Sequence, residues 1–169
     1  VEEWATDEVV IPGLEEVPVQ QLYRAMDFLL EYQEEVQWHV YTAVADLLNL
    51  EVDILFFDTT STYFGVEEED ESGGDGNSGL RRRGYSRDHR PDLPQAVIGM
   101  AVTREGIPVR CWTWPGNTAD MSVVPQVKKD LIGWKLGRVV TVVDRGFVSD
   151  DNLKELQKAG GHYIAGERL

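Results

Sequence analysis

The sequence predicts a mixed α/β fold, in which three antiparallel strands are followed by alternating helices and parallel strands, with a small helical segment in front. Two short apolar runs, residues 54–57 and 139–143, are typical of buried strands, and each run leads into an aspartate. Between them, turn residues at 104–106 separate two strand-like runs, which predicts a hairpin. Helical patterns then alternate with strand patterns to the end of the chain, and such alternation favours parallel pairing.

The first predicted domain, residues 1–50, contains a lead-in and the helical segment. Pro12 and Pro18 interrupt regular structure, so residues 1–17 are expected to be extended. From about Val19 to Leu50 apolar residues recur at helical spacing, which indicates one long helix or two shorter ones. The second predicted domain, residues 51–169, begins with the first strand and contains the whole sheet.

The second domain is predicted to contain one long loop and then to regain regular structure. The loop spans about residues 65–92, and its acidic and glycine-rich stretch at 67–79 has too little apolar surface to become ordered, so we expect it to be flexible. Strands are predicted at 96–102 and 107–114, followed by a helix that starts near Thr118-Ala119-Asp120. A strand at 139–143, a helix capped near Ser149 and a strand at 162–165 complete the chain.

Composition excludes some classes of protein. An apolar content of 42% is ordinary for a globular chain, and no apolar run approaches the roughly 18 residues of a membrane helix. We therefore expect no membrane partner. Cys111 is the single cysteine, so an internal disulfide is excluded and a reducing compartment fits.

Charge is distributed unevenly along the chain. The net charge of −14 argues against a nucleic-acid partner, but Arg24 is the only Lys or Arg before Ser72. The basic residues that follow include an arginine cluster: Arg81, Arg82, Arg83, Arg87 and Arg90. Two interpretations remain open, since the cluster either binds DNA phosphates or offsets the preceding acidic run.

Asp58 and Asp144, at the ends of the two buried strands, are the main candidates for chemistry. A carboxylate at the edge of an apolar sheet is costly unless it is paired or bound to a cation. Two such carboxylates at neighbouring strand ends repel each other, and divalent metal ions relieve that repulsion. The alternatives are that Asp58 caps a turn or helix and that Asp144 pairs with Arg145.

The predicted element order is that of a ribonuclease H-like sheet. In that order the first strand lies beside the fourth, which places Asp58 next to Asp144. This arrangement matches the logic of a two-metal phosphoryl-transfer site.

Five short motifs resemble the DDE transposases of the IS4 superfamily, and the Gly-Tyr-Ser-Arg-Asp stretch resembles its IS1634-like branch. The motifs are Phe57-Asp58-Thr59-Thr60-Ser61, Arg83-Gly84-Tyr85-Ser86-Arg87-Asp88, Arg90-Pro91-Asp92-Leu93-Pro94-Gln95, Pro115-Gly116-Asn117-Thr118-Ala119-Asp120 and Asp144-Arg145-Gly146-Phe147. The resemblance covers roughly residues 55–169. It implies an enzyme that cleaves DNA and transfers strands at insertion-sequence ends, in the prokaryotic cytoplasm or nucleoid.

The resemblance also implies the cofactor, the partners and the roles of the acids. Asp58 matches the first catalytic and metal-binding aspartate and Asp144 the second, with two Mg²⁺ or Mn²⁺ ions in the complete enzyme. The partners would be transposon-end and target DNA, with a homodimer in a synaptic complex. The family's third acid, a Glu in a Tyr-x-x-Arg-x-x-x-Glu helix, has no match here, and Glu167 follows Asp144 too soon. The chain is therefore expected to be the N-terminal part of a transposase, with most of the ribonuclease H-like core, and to be inactive alone.

For several other residues the sequence allows two interpretations of their role. Tyr85 would stack on a base or lie on a plain surface, and Arg145 would contact a phosphate or pair with Asp144. Trp112 and Trp114 share one face of a strand, which favours a place in the core over a stacking platform. His89 is expected at the surface, without a metal-ligand pattern.

Competing functions come from other classes. The chain could be a non-catalytic transposase remnant that only binds DNA or a protein. A haloacid dehalogenase-like phosphatase also has a strand that ends in Asp, but Thr60 stands where that class usually has a second Asp. Sugar-kinase and actin-like ATPases need a glycine-rich turn after the first strand, which residues 58–62 lack.

Overall fold

A computed structural model describes Pro12 and residues 18–48, 51–71 and 79–166 of the chain. The chain divides into two compact units, Val1–Ala43 and Val44–Leu169. The domain boundary predicted at residue 50 stays a prediction. The predicted extended lead-in lies, apart from Pro12, outside the described residues.

The N-terminal helical segment consists of two helices rather than one. Helix α1 spans Val19–Glu31, and helix α2 spans Gln33–Leu48. Pro18 lies immediately before α1 and has an extended backbone. Because proline has no backbone N–H, no hydrogen-bond donor is left without a partner at this position. Among the described residues, no helix combines the length and the apolar character needed to cross a membrane.

Within the described part of the chain, five strands form one mixed sheet. In chain order they are β1 (Ile54–Tyr63), β2 (Gln95–Thr103), β3 (Pro108–Pro115), β4 (Val140–Val143) and β5 (His162–Ala165). Their spatial order is β3-β2-β1-β4-β5, with β1 antiparallel to β2, β2 antiparallel to β3, and β4 parallel to both β1 and β5. The predicted mixed sheet, with its ribonuclease H-like order, is confirmed.

Two helices connect the strands after the hairpin. Helix α3 spans Asp120–Gly133, and helix α4 spans Asp150–Leu156. The apolar face predicted for the first of these helices is buried: Val123, Val124, Val127 and Leu131. Ser149 caps α4 as predicted, since its hydroxyl accepts a hydrogen bond from the backbone N–H of Asn152 at 3.2 Å. A short 3₁₀ helix, Arg145–Phe147, connects β4 to α4.

The core lies on one face of the sheet. Leu55 and Phe57 of β1 are buried, and the Phe57 ring contacts Trp112 and Phe147 edge-on at centroid distances of 5.7 and 5.2 Å. Trp112 and Trp114 are both buried and stack on each other at 6.3 Å, which confirms their predicted place in the core. Because side chains alternate along a strand, Phe56 and Asp58 point to the opposite face.

Candidate functional site

Asp58 and Asp144 follow paired residues on two neighbouring parallel strands. The last pair of the β1–β4 ladder is Phe57 with Val143, and each aspartate is the next residue in its chain. Neighbouring strands lie about 4.8 Å apart, and the alternation of side chains turns both aspartates toward the face opposite the core. Both line one groove of about 540 Å³. The structure thus brings these residues side by side on one face of the sheet, as the strand order predicts. The prediction that both aspartates stand at strand ends is wrong for Asp58, because β1 continues to Tyr63 through its antiparallel pairing with β2.

Both carboxylates are held by a local backbone hydrogen bond. The N–H of Thr59 donates to Oδ1 of Asp58 at 2.7 Å, and the N–H of Arg145 donates to Oδ1 of Asp144 at 2.7 Å. Within the described part of the chain, the second oxygen of each carboxylate takes part in no hydrogen bond. Two oriented carboxylates with available oxygens fit Mg²⁺ or Mn²⁺, because Mg²⁺ is bound through one or two carboxylates and retains several waters.

Larger ligand clusters are absent from the described ranges. In residues 18–48, 51–71 and 79–166, no group of three or more His, Cys, Asp or Glu side chains is placed to hold a metal ion. Glu167 lies outside those ranges. Of the residues that line the groove, Asp58 and Asp144 are therefore the acids, and their catalytic role and a third acid from beyond this chain stay predictions.

Arg87 lies beside Asp58 and is held mainly by two other residues. Its Nη2 donates to Oγ1 of Thr59 at 3.1 Å and to Oδ2 of Asp120 at 3.3 Å. Its Nη1 lies 3.9 Å from Oδ1 of Asp58. The Thr59 hydroxyl donates in turn to Oδ1 of Asp120 at 2.7 Å, so the threonine and the aspartate form a clamp around the guanidinium.

The segment that contains Arg87 is fixed to the turn after β3 by the buried side chain of Gln95. Its Nε2 donates to the carbonyl oxygens of Tyr85, at 2.8 Å, and Gly116, at 3.0 Å. The two backbones touch closely, because a Cβ on Gly84 would lie 2.1 Å from the Gly116 oxygen. Only glycine allows this approach, which explains the glycine at position 84.

The arginine triplet at 81–83 is held by the acidic stretch instead. Arg81 pairs with Asp70 at 2.5 Å, while Arg82 and Arg83 reach Glu69 at 3.4 and 3.8 Å. The backbone N–H of Arg83, followed by the Arg82 side chain, holds the pKa of Glu69 below its usual value. The backbone N–H and then the guanidinium of Arg81 do the same for the pKa of Asp70. These contacts match the interpretation in which the arginines offset the charge of the acidic run. The flexibility predicted for residues 65–92 stays a prediction.

The remaining candidates lie at different distances from the two acids. Arg90 forms a two-point ion pair with Asp92, at 2.7 and 2.9 Å, and lies over the ring of Tyr63. Tyr85 is 87% exposed and, together with Arg87, lines a small groove of about 190 Å³. The Arg145 guanidinium forms no ion pair with any described residue, so the predicted side-chain pairing with Asp144 is wrong, and only the backbone N–H of Arg145 contacts that carboxylate.

Sequence reasoning missed three residues of this site. Asp120 was expected to help start α3, yet both its carboxylate oxygens turn to Thr59 and Arg87. The Thr59 hydroxyl and the Gln95 amide were not predicted either, although both residues stand in the quoted motifs. The available signal was a polar residue at a position where the strand pattern requires a buried one: Thr59 is 2% and Gln95 1% exposed.

Comparisons with known proteins give distant structural likenesses. No protein-family profile and no curated protein matches the chain. A Mos1 transposase paired-end complex with left transposon end aligns with 95% of this chain and 47% of its own, at 11% identity and a TM-score of 0.42. A piggyBac transposase synaptic complex with hairpin DNA aligns with 69% of this chain and 23% of its own, at 15% identity and a TM-score of 0.39. The chain thus spans less than half of these transposases, and TM-scores below 0.5 support no functional assignment.

Proposed function

We propose that this chain forms part of the catalytic core of a DDE transposase of the IS4 superfamily, in its IS1634-like branch. The observation that supports the proposal is the position of Asp58 and Asp144, next to each other beyond the last pair of the parallel strands β1 and β4. Two acids side by side on adjacent parallel strands, on the same face of a sheet, are suited to metal-dependent phosphoryl transfer. The antiparallel pairing of β1 with β2, together with Thr60, disfavours the haloacid dehalogenase-like alternative.

Asp58 and Asp144 would hold the Mg²⁺ or Mn²⁺ ions of such a site. When bound, the ions would activate a water or a 3′-hydroxyl and stabilise the leaving oxygen of the phosphodiester. The N–H groups of Thr59 and Arg145 keep one oxygen of each carboxylate fixed, which leaves the other available. In this proposal the third acid comes from a segment outside the present chain.

Three residues near the acids are proposed to contact DNA. Arg87 and Arg145 are the cations next to Asp58 and Asp144, and a phosphate between them would neutralise charge in a strongly acidic chain. Tyr85, 87% exposed beside Arg87, offers a ring on which a base can stack. The contacts of Arg81, Arg82, Arg83 and Arg90 with nearby acids support a structural role for those four, although their predicted DNA contact stays open.

The proposal also includes transposon-end and target DNA as partners and a homodimer in a synaptic complex. The competing proposal is a remnant that binds DNA or a protein without catalysis. The two proposals differ in whether DNA cleavage can be restored by supplying the missing acid.

A cleavage assay separates these functions. The substrate is a DNA duplex with the sequence of the transposon end, taken from the DNA that flanks the gene encoding this chain. It is incubated with Mn²⁺ and with either the 169-residue chain or a longer version that carries the Tyr-x-x-Arg-x-x-x-Glu helix. We expect the longer version to cleave, Asp58→Ala and Asp144→Ala to abolish cleavage, and the present chain to bind Mn²⁺ weakly in calorimetry without cleaving. Cleavage by the present chain that both substitutions abolish would show that the third acid is already in it. A longer version that binds DNA and never cleaves would favour the remnant.

A further inference from the structure

We infer that Asp120 is a positioning residue that holds the Arg87 guanidinium away from Asp58, and so keeps Asp58 available to a divalent cation. The inference rests on the proposed function, because it assumes that Asp58 binds a metal ion. The inference assigns a role to Asp120, which stands in one of the quoted motifs but has no catalytic role there.

The distances around Arg87 indicate which carboxylate it prefers. The guanidinium lies within hydrogen-bond range of Asp120 and Thr59, at 3.3 and 3.1 Å, but 3.9 Å from Asp58. Charged hydrogen bonds are the stronger kind, so Asp120 and the threonine that it accepts from determine where the guanidinium rests. Asp58 is left at ion-pair distance, with its side chain 70% exposed.

The consequence follows from charge competition. The Arg87 guanidinium is attracted to every carboxylate within its reach, so Asp120 and Asp58 compete for it. If Asp120 loses its charge, Asp58 becomes the carboxylate toward which the guanidinium moves. A cation at Asp58 must then displace the arginine, and its affinity falls.

Two other roles for Asp120 make different predictions. A direct metal ligand would lose Mn²⁺ affinity on Asp120→Asn whether or not Arg87 is present, whereas here both oxygens of Asp120 accept hydrogen bonds from Thr59 and Arg87. An acid in the first turn of α3 also interacts favourably with the helix dipole. In that case the substitution would alter stability without affecting Mn²⁺ affinity.

The test is a double-mutant cycle read by Mn²⁺ affinity, measured by water-proton relaxation at constant ionic strength. The variants are Asp120→Asn, Arg87→Gln and the two combined, and circular dichroism verifies that each one folds. Asp150→Asn is the matched control, because Asp150 also lies in the first turn of a helix but is exposed on α4. We expect Asp120→Asn to weaken Mn²⁺ binding about three- to tenfold, as suits a partly exposed ion pair, and the control to leave it unchanged.

The cycle separates positioning from simple charge loss. In the Arg87→Gln background, Asp120→Asn should have no further effect, since no guanidinium remains to be held. An equal loss of affinity in both backgrounds would mean that Asp120 attracts the cation through space, and would overturn the inference alone. Asp120→Asn with wild-type affinity would also overturn it. If the wild-type chain binds no Mn²⁺, or if Asp58→Asn leaves binding intact, the proposed metal site fails and the inference fails with it.

Discussion

Gly116 is the position where a single methyl group should disturb the candidate site most. A Cβ there would lie 2.1 Å from the carbonyl oxygen of Gln95 and 2.2 Å from that of Arg82. Both obstacles are backbone atoms, so no side-chain rotation relieves the clash. The turn after β3 would have to move away from the segment that carries Arg87. This movement would also strain the hydrogen bond of 3.0 Å from the Gly116 N–H to the Leu80 oxygen.

The expected cost combines two effects. Overpacking a closely packed site costs roughly 1–3 kcal/mol. Loss of one backbone hydrogen bond adds about 1 kcal/mol. We therefore expect Gly116→Ala to lower the free energy of unfolding by about 2–4 kcal/mol. For a chain of this size each kcal/mol lowers Tm by roughly 2–4 °C, so the melting temperature should fall by roughly 5–15 °C.

Thermal and urea unfolding, followed by far-ultraviolet circular dichroism, measure this change. Gly133→Ala is the matched control, since no atom lies within 4 Å of its added Cβ and Gly133 is the last residue of α3. Alanine is favoured over glycine in a helix, so the control should be neutral or more stable by up to about 1 kcal/mol. A Gly116→Ala variant that unfolds together with the wild type would refute the close backbone contact.

Four further predictions concern the core and its buried charges. The buried Thr141 hydroxyl has no hydrogen-bond partner among the residues that the structure describes, so Thr141→Val should raise the free energy of unfolding by about 1 kcal/mol in urea denaturation. Thr103→Val should lower it by a similar amount, since the hydroxyl of Thr103 accepts from the Ile107 N–H. Asp130 pairs with the buried Arg110 at 3.4 Å and accepts from the Trp112 indole at 2.9 Å, so Asp130→Ala should cost about 3–5 kcal/mol in the same assay. Burial lowers the pKa of Lys128, whose ammonium donates to the Gly137 oxygen at 2.7 Å, and charging this lysine therefore costs more in the folded chain than in the unfolded one. Stability should rise as pH increases from the folded pKa toward the unfolded value, and Lys128→Met should lose that rise.

Distinct results would contradict the expectations for Thr141, Asp130 and Lys128. Destabilisation by Thr141→Val would indicate a hydrogen-bond partner for its hydroxyl. A change for Asp130→Ala no larger than that of Asp151→Ala, whose side chain is 96% exposed, would mean that the buried ion pair is not formed. Identical pH profiles for wild type and Lys128→Met would mean that the lysine is solvated.

The sheet could be predicted from sequence because its determinants are local. Apolar runs that lead into Asp58 and Asp144, and turn residues between β2 and β3, specify strands and connections with no knowledge of long-range contacts. Strand order then follows from a small set of allowed topologies. The apolar face of α3 was likewise visible in its spacing.

The surroundings of Asp58 could not be predicted because their contacts join distant parts of the chain. Asp120 meets Thr59 across 61 positions, and Arg87 meets Thr59 across 28. These distances depend on where α3 begins relative to β1, which no local pattern encodes. The partners of the arginine triplet were ambiguous for the same reason, since phosphates and nearby carboxylates attract a guanidinium alike.

The position of a bound Mn²⁺ ion tests the proposed site most directly. Crystals soaked in Mn²⁺ should show an anomalous peak bonded at about 2.0–2.3 Å to carboxylate oxygens of both Asp58 and Asp144, as expected for hard-cation coordination. Manganese bound elsewhere while both carboxylates stay unliganded at saturating Mn²⁺ would contradict a metal-dependent catalytic centre at Asp58 and Asp144.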